Sequence, residues 1–244
     1  MSTEVPEVEL VSTVHSLQSF IYSLPASSDL YIDLEGTKLS RLGTIDLITI
    51  LVHPTNIIRA IDVTTLGQSA FKELAVDGKT LKRILEDTNI RKYFWDVRND
   101  ADALWAHYQV DLRNIIDVQL SEYAARPRLP KPFIRGLAPC IEYDLDLARE
   151  ELLRWKQIKE SITKQMSDGV FEKRPLPREA LEYCVNDVRY LPRLHQRYWM
   201  YLPEFWHEKV KQESRRRVEE AHSPAYDPNS PAKRKAPWEG FGRK

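Results

Sequence analysis

The chain has 244 residues, 42% of them hydrophobic, and its 36 lysines and arginines balance 36 aspartates and glutamates. That length supports one sizeable core at roughly 100 to 200 residues per domain, and a neutral total neither advertises nor excludes a basic groove. Cys140 and Cys184 are too few for a disulfide framework and lack CxxC zinc spacing. The acidic N-terminus is unlike a secretory signal, and no run approaches the roughly 18 apolar residues of a membrane span. A soluble intracellular protein, cytoplasmic or nuclear, is expected.

Residues 8 to 24 place apolar groups at helical spacing after an extended start, and Pro25 closes them. LYIDLEG, TIDLITILVHP and NIIRAIDVTTL are three runs rich in β-branched or aromatic residues, separated by Gly36, Gly43, Pro54 and Asn56. They predict an antiparallel meander. Helical stretches follow near 67–75 and 79–88, then RKYFWDV as a buried strand, a helix from Asp100 to Tyr108, NIIDV as a short strand, and VQLSEYAAR as a helix ending at Pro127. Alternating strands and helices define a mixed sheet and the α/β class. Four prolines between 127 and 146 predict a loop or short helix. Long helices cover roughly 148–166 and 178–200, the second kinked or shortened by Pro192. A single domain over 8–205 is expected. Residues 211–244, rich in Pro, Ser and charge, read as a disordered basic tail.

Acids at three separate places carry the functional reading. Asp33 and Glu35 are two apart on a predicted strand, so both carboxylates point to one face and can share a metal ion. They interrupt a strand of core type, where uncompensated carboxylates would cost several kcal/mol; a solvated strand edge is the plainer alternative. Asp100 and Asp102 open a helix after a strand, where Asn99 or Asp100 equally suits an N-cap, although ligands gather at the C-terminal ends of strands in α/β sheets. Tyr183 and Asp187 are four apart on a helical pattern and stack on one face. Hard oxygen donors of this kind suit Mg²⁺ or Mn²⁺, and a pair of such ions about 3.5 to 4 Å apart serves both oxygens of a phosphodiester displacement.

Taken together, Asp-x-Glu on the first strand (expected from Leu30), the FWDVRNDADALWAHYQV segment, NIIDVQLSEYA and EKRPLPREALEYCVNDVRYLPRLHQRYW resemble the DEDDy branch of the 3′-to-5′ exonucleases. That branch includes ribonuclease D and the Werner-type exonuclease domain, and the similarity is greatest to the Egalitarian and EXD-like proteins. It covers roughly residues 10–202 and implies a ribonuclease-H-like mixed sheet flanked by helices. It further implies that Asp33, Glu35, Asp100 and Asp187 hold two Mg²⁺ or Mn²⁺ ions, that Tyr183 orients the attacking water, and that single-stranded nucleic acid, RNA favoured, is cut from its 3′ end to nucleoside monophosphates. A catalytically weak binding or adaptor module, or a DNA-directed exonuclease, is the alternative. Asp100 is preferred to Asp102 only by this match.

Other residues are weighed beside these. Asp117 reads as a helix cap. The six histidines include no HxxxH or HExxH pair, which argues against zinc. Leu39, Leu42, Trp95 and Trp105 are candidates to stack on bases, against a prior that favours core. Arg98, Lys131, Arg135, Lys173 and Arg174 are candidates to track phosphates, and Arg215–Arg217 and Lys233–Lys235 are basic clusters suited to a nuclear address or a nucleic-acid anchor.

Overall fold

A computed structural model describes residues 8–25, 27–126 and 132–238. Its elements in chain order are β1 (Val8–Val11), α1 (Val14–Ser23), β2 (Asp29–Glu35), β3 (Leu47–His53), β4 (Ile57–Asp62), α2 (Val63–Leu66), α3 (Ser69–Lys72), α4 (Leu81–Glu86), β5 (Arg91–Phe94), α5 (Arg98–Tyr108), β6 (Ile115–Asp117) and α6 (Val118–Ala125). Then come α7 (Leu137–Asp144), α8 (Arg149–Gln165), α9 (Arg178–Arg189), α10 (Leu191–Trp199) and α11 (Glu204–His222). The six strands form one sheet in the order β1-β4-β3-β2-β5-β6. β2, β3 and β4 are the expected antiparallel meander, while β5 and β6 run parallel to β2 on one side and β1 runs parallel to β4 on the other. This is the mixed, helix-flanked sheet read from the sequence.

The alternation of β2 sorts its side chains between two cores. Leu30, Ile32 and Leu34 join the cluster formed with α1, α4 and α5, whereas Tyr31 joins the cluster formed with α6 to α10. Asp33 and Glu35 share the parity of Tyr31 and face that second layer, opposite Thr49 and Leu47 of β3. Past Glu35 the chain folds back tightly: a Cβ added at Gly36 would lie 2.1 Å from the Thr44 carbonyl oxygen, so only glycine closes this loop.

Pro192 acts as expected. The helical run breaks at Tyr190 and α10 restarts with proline in its first turn, where a missing N–H costs nothing. The end of the chain corrects the sequence reading. Residues 211–222, expected to lack structure, lie in α11, which packs along α5, α6 and β6. Val210, Ser214, Arg217, Val218 and Ala221 are buried at helical spacing. Averaged composition concealed that stripe because Ser214, Arg217 and the likewise buried Glu213 within it are polar.

Ser214 and Arg217 are met by Asp117, which is fully buried. Arg217 Nη1 donates to Asp117 Oδ2 at 2.6 Å, and the Asp117 amide donates to Ser214 Oγ at 2.9 Å. The same carboxylate accepts the amides of Asp96, Val97 and Gln119. Asp117 therefore caps α6 as expected, and it also fixes the turn into α5, where Asp96 holds a left-handed φ of 63°.

Candidate metal centre

Asp33 and Glu35 leave the C-terminal half of β2 on the face covered by α9, and Asp187 comes down from α9 to meet them. A ligand atom from each of the three lies within 4.8 Å of the others. Asp187 is buried, while Asp33 and Glu35 keep part of their surface open to solvent. Asp100 is outside that tight triad but within its field. It sits in the first turn of α5, not at the cap, and its buried Oδ1 has no hydrogen-bond partner. Asp102, two residues on, points elsewhere: fully buried, it accepts the backbone amide and Nε of Arg41 at 2.7 and 2.6 Å and pins the loop after β2.

The electrostatics are those of crowded acids that Lys159 only partly offsets. Burial, then Asp187 and Asp100, raise the Asp33 carboxyl well above the ordinary carboxylate range, with Lys159 and a hydrogen bond to Glu35 pulling it back. Glu35 is raised in the same way by burial, Asp33 and Asp187. Asp100 is pushed up to about 7, mainly by burial, and the backbone amides of residues 100 and 34 offset part of that. Asp187 is also raised by burial, opposed by Lys159 and by a hydrogen bond from Tyr183. The Tyr183 phenol is driven far above its usual range by burial, Asp187, Glu35 and Asp33, so it remains a protonated donor at any physiological pH.

Sequence reasoning missed Lys159. It projects from α8, its Nζ donating to the Tyr183 hydroxyl at 3.3 Å, lying 3.9 Å from Asp187 and 4.9 Å from the Tyr183 ring centroid. The signal was present: in α8 the buried Trp155, Ile158 and Ile162 form an apolar stripe, and Lys159 sits on its margin. Lys159, Tyr183 and Asp187 thus form a donor chain ending on the acid cluster.

Several expected nucleic-acid contacts are committed elsewhere. Arg98 pairs with Asp96, Arg135 with Glu122 and Asp144, and Arg174 with Asp62. Arg215 pairs with Glu219, Arg216 with Glu213 and Glu220, and Arg217 with Asp117. Lys173 is exposed, and Lys131 lies outside the described residues. Leu39 and Trp95 pack on the two cores and Trp105 stacks on His222, whereas Leu42 is 69% exposed.

A fully oxygen donor set, an orphaned carboxylate oxygen and mutual repulsion among acids all fit a divalent cation. Residues 8–202 match the family model described as 3′-5′ exonuclease, and the chain belongs to that family. No curated protein matches it significantly. Among solved structures it is similar to the RNase D–GMP complex of Trypanosoma brucei, with 23% identity, a TM-score of 0.72, and coverage of 88% of this chain and 64% of the other. It is also similar to the same enzyme complexed with RNA U12 (22% identity, TM-score 0.73, covering 90% and 72%). Brucella melitensis NrnC with bound Mg²⁺ is more distant (16% identity, TM-score 0.57, covering 90% and 90%). The chain thus spans less than two-thirds of the GMP-bound relative, and these likenesses establish the fold. No helix among the described residues is long and apolar enough to cross a membrane.

Proposed function

We propose that this chain is a metal-dependent 3′-5′ exonuclease that shortens single-stranded nucleic acid, RNA in preference to DNA, to nucleoside monophosphates. Asp33, Glu35, Asp100 and Asp187 would hold two Mg²⁺ or Mn²⁺ ions. The observation that carries the reading is the convergence of Asp33, Glu35 and Asp187, from two distant segments, on a point where, among the described residues, Lys159 alone brings a cation within 4 Å of them. The RNA preference draws on the relative whose complex contains RNA U12, and the choice of Mg²⁺ on the relative with bound Mg²⁺.

Divalent ions held by Asp33, Glu35, Asp100 and Asp187 would supply charge neutralisation and Lewis acidity for phosphodiester hydrolysis. The chain's own groups supply position. Tyr183, too weak an acid to ionise here, holds and orients the attacking water through its hydroxyl. Lys159, donating to that hydroxyl, fixes the direction in which the phenol's own proton points and adds positive charge beside the reacting phosphate. Asp102, through Arg41, keeps the loop after Glu35 in place, and Asp117 keeps the turn before Asp100 in place.

The test is degradation of 5′-labelled single-stranded RNA and DNA of one sequence, with Mn²⁺ or with EDTA. A ladder shortening from the 3′ end, faster on RNA and absent in EDTA, is the expected result. Retention of both strands without shortening would identify a binding module instead.

A further inference from the structure

The basic cluster at Lys233 to Lys235 takes no part in the acid site, yet it is docked at its edge. Beyond α11 the chain runs as a strap from Ser223 to Trp238. Arg41 Nη2 holds its start, donating to the carbonyls of Ala221 and Ser223 at 2.7 and 2.8 Å. The Tyr226 hydroxyl donates to Asn99 Oδ1 at 2.8 Å, and the Lys233 ammonium donates to the same oxygen. Arg98 Nη2 donates to the Lys233 carbonyl at 2.9 Å. At the far end Phe133 and Lys235 form an antiparallel bridge, and Trp238 packs on Trp206 and Tyr123. Asn99 immediately precedes Asp100, and Arg41 belongs to the loop that leaves Glu35. The strap is therefore anchored to both segments that lead into the acids.

Between strap and α11 is a cavity of about 490 Å³. Of the cations around it, Arg98, Arg216 and Arg217 are engaged by Asp96, Glu213 and Asp117. Lys233 and Lys235 differ, since neither forms an ion pair among the described residues. The half-buried Lys233 ammonium meets two neutral oxygens, Asn99 Oδ1 and the Pro228 carbonyl at 3.1 Å. Asp96 and Asp100 act on it only from beyond ion-pair distance, so an ammonium whose hydrogen-bond partners are neutral keeps attraction for an anion. Resting on the nuclease reading, we infer that Lys233 and Lys235 form a phosphate-binding rim for the single strand whose 3′ end enters the acid site, held in register by the strap's anchorage on Asn99.

The full chain tests this with two variants, Lys233→Gln/Lys235→Gln and Tyr226→Phe, after a thermal melt confirms that each is folded. Binding of a fluorescein-labelled dodecauridylate in Ca²⁺ is followed by anisotropy across a salt series, and KM and kcat are measured on the dodecamer and on a dinucleotide. The double variant is expected to bind the dodecamer about tenfold more weakly, with a salt slope shallower by roughly one to one and a half, since each single-strand phosphate contact contributes about 0.7. Its KM should rise about tenfold on the dodecamer and less than about threefold on the dinucleotide, because the loss grows with the phosphates engaged. Tyr226→Phe should shift affinity the same way by a smaller factor. Unchanged affinity and slope in the double variant would overturn the inference, as would tighter binding or faster turnover, which would make the strap an obstructing lid. If the wild-type chain binds with the steeper slope but never shortens the strand, the nuclease reading fails and the phosphate rim stands.

Discussion

Among the described residues, two clusters bring three potential metal ligands within 4.8 Å of one another, and they differ in what neutralises them. At Asp33, Glu35 and Asp187 the one cation within 4 Å among the described residues is Lys159, at 3.9 Å from Asp187. At Glu122, Cys140 and Asp144 two guanidinium groups are already in place: Arg126 forms a fork on Glu122 with both contacts at 2.7 Å, Arg135 reaches Glu122 and Asp144, and the Tyr198 hydroxyl donates to Asp144 at 2.7 Å. Proximity of acids is common to both. The uncompensated charge is confined to the first, and uncompensated charge is what a cation site offers. The second cluster is a structural knot, in which burial pushes the Cys140 thiol up to about 12, leaving it protonated and a poor ligand.

The contrast can be broken most sharply by substitution in each cluster. Asp33→Asn or Asp187→Asn should lower turnover by about 1000-fold or more, roughly 4 kcal/mol of transition-state stabilisation, while the melting temperature in EDTA stays level or rises because repulsion is relieved. Equal activity in the variant would remove these acids from the chemistry. Glu122→Ala should do the reverse. It leaves Arg126 and Arg135 without their shared partner and should cost about 3 kcal/mol in urea unfolding, with activity per folded molecule within about twofold of wild type. Loss of activity without loss of stability would reverse the roles assigned to the two clusters.

Smaller effects sharpen the account of the first cluster. Tyr183→Phe should lower kcat by roughly tenfold to a hundredfold and leave Mn²⁺ affinity by calorimetry nearly unchanged if, as proposed, the phenol positions a reactant and holds no cation. The raised carboxyls also set a pH dependence. Between the ordinary carboxylate pKa near 4 and the value of about 7 at Asp100, the folded chain binds more protons than the unfolded one. Stability in EDTA should therefore fall as pH rises across that window. Saturating Mg²⁺ should flatten or invert the trend, because it favours the ionised acids. A metal-free stability that rises steadily from pH 4 to 7 would contradict the crowded-acid picture.

What was legible in the sequence follows the reach of local periodicity. Strand alternation put Asp33 and Glu35 on one face, and helical spacing stacked Tyr183 on Asp187, because both relations lie within one element. Asp100 could not be told from Asp102 by spacing. The distinction is tertiary: Arg41, from a loop some sixty residues away, claims Asp102 and leaves Asp100 unpartnered. Lys159 was overlooked because its meaning depends on α8 packing against α9. The candidate phosphate contacts at Arg135 and Arg174 fell away for the same reason, each meeting a carboxylate from another element, whereas Arg98 is taken by its near neighbour Asp96. Residues 211–222 were misread as tail because Ser214 and Arg217 are buried at positions where a periodicity count expects apolar side chains, and Asp117, with Gln119 and the Val210 carbonyl, makes that burial tolerable.

The most direct measurement is an anomalous difference map from crystals grown with Mn²⁺. Strong peaks among Asp33, Glu35, Asp100 and Asp187, and none at Glu122, Cys140 and Asp144, are the predicted result. A blank map at the first cluster under saturating Mn²⁺, or a peak at the second alone, would contradict the account.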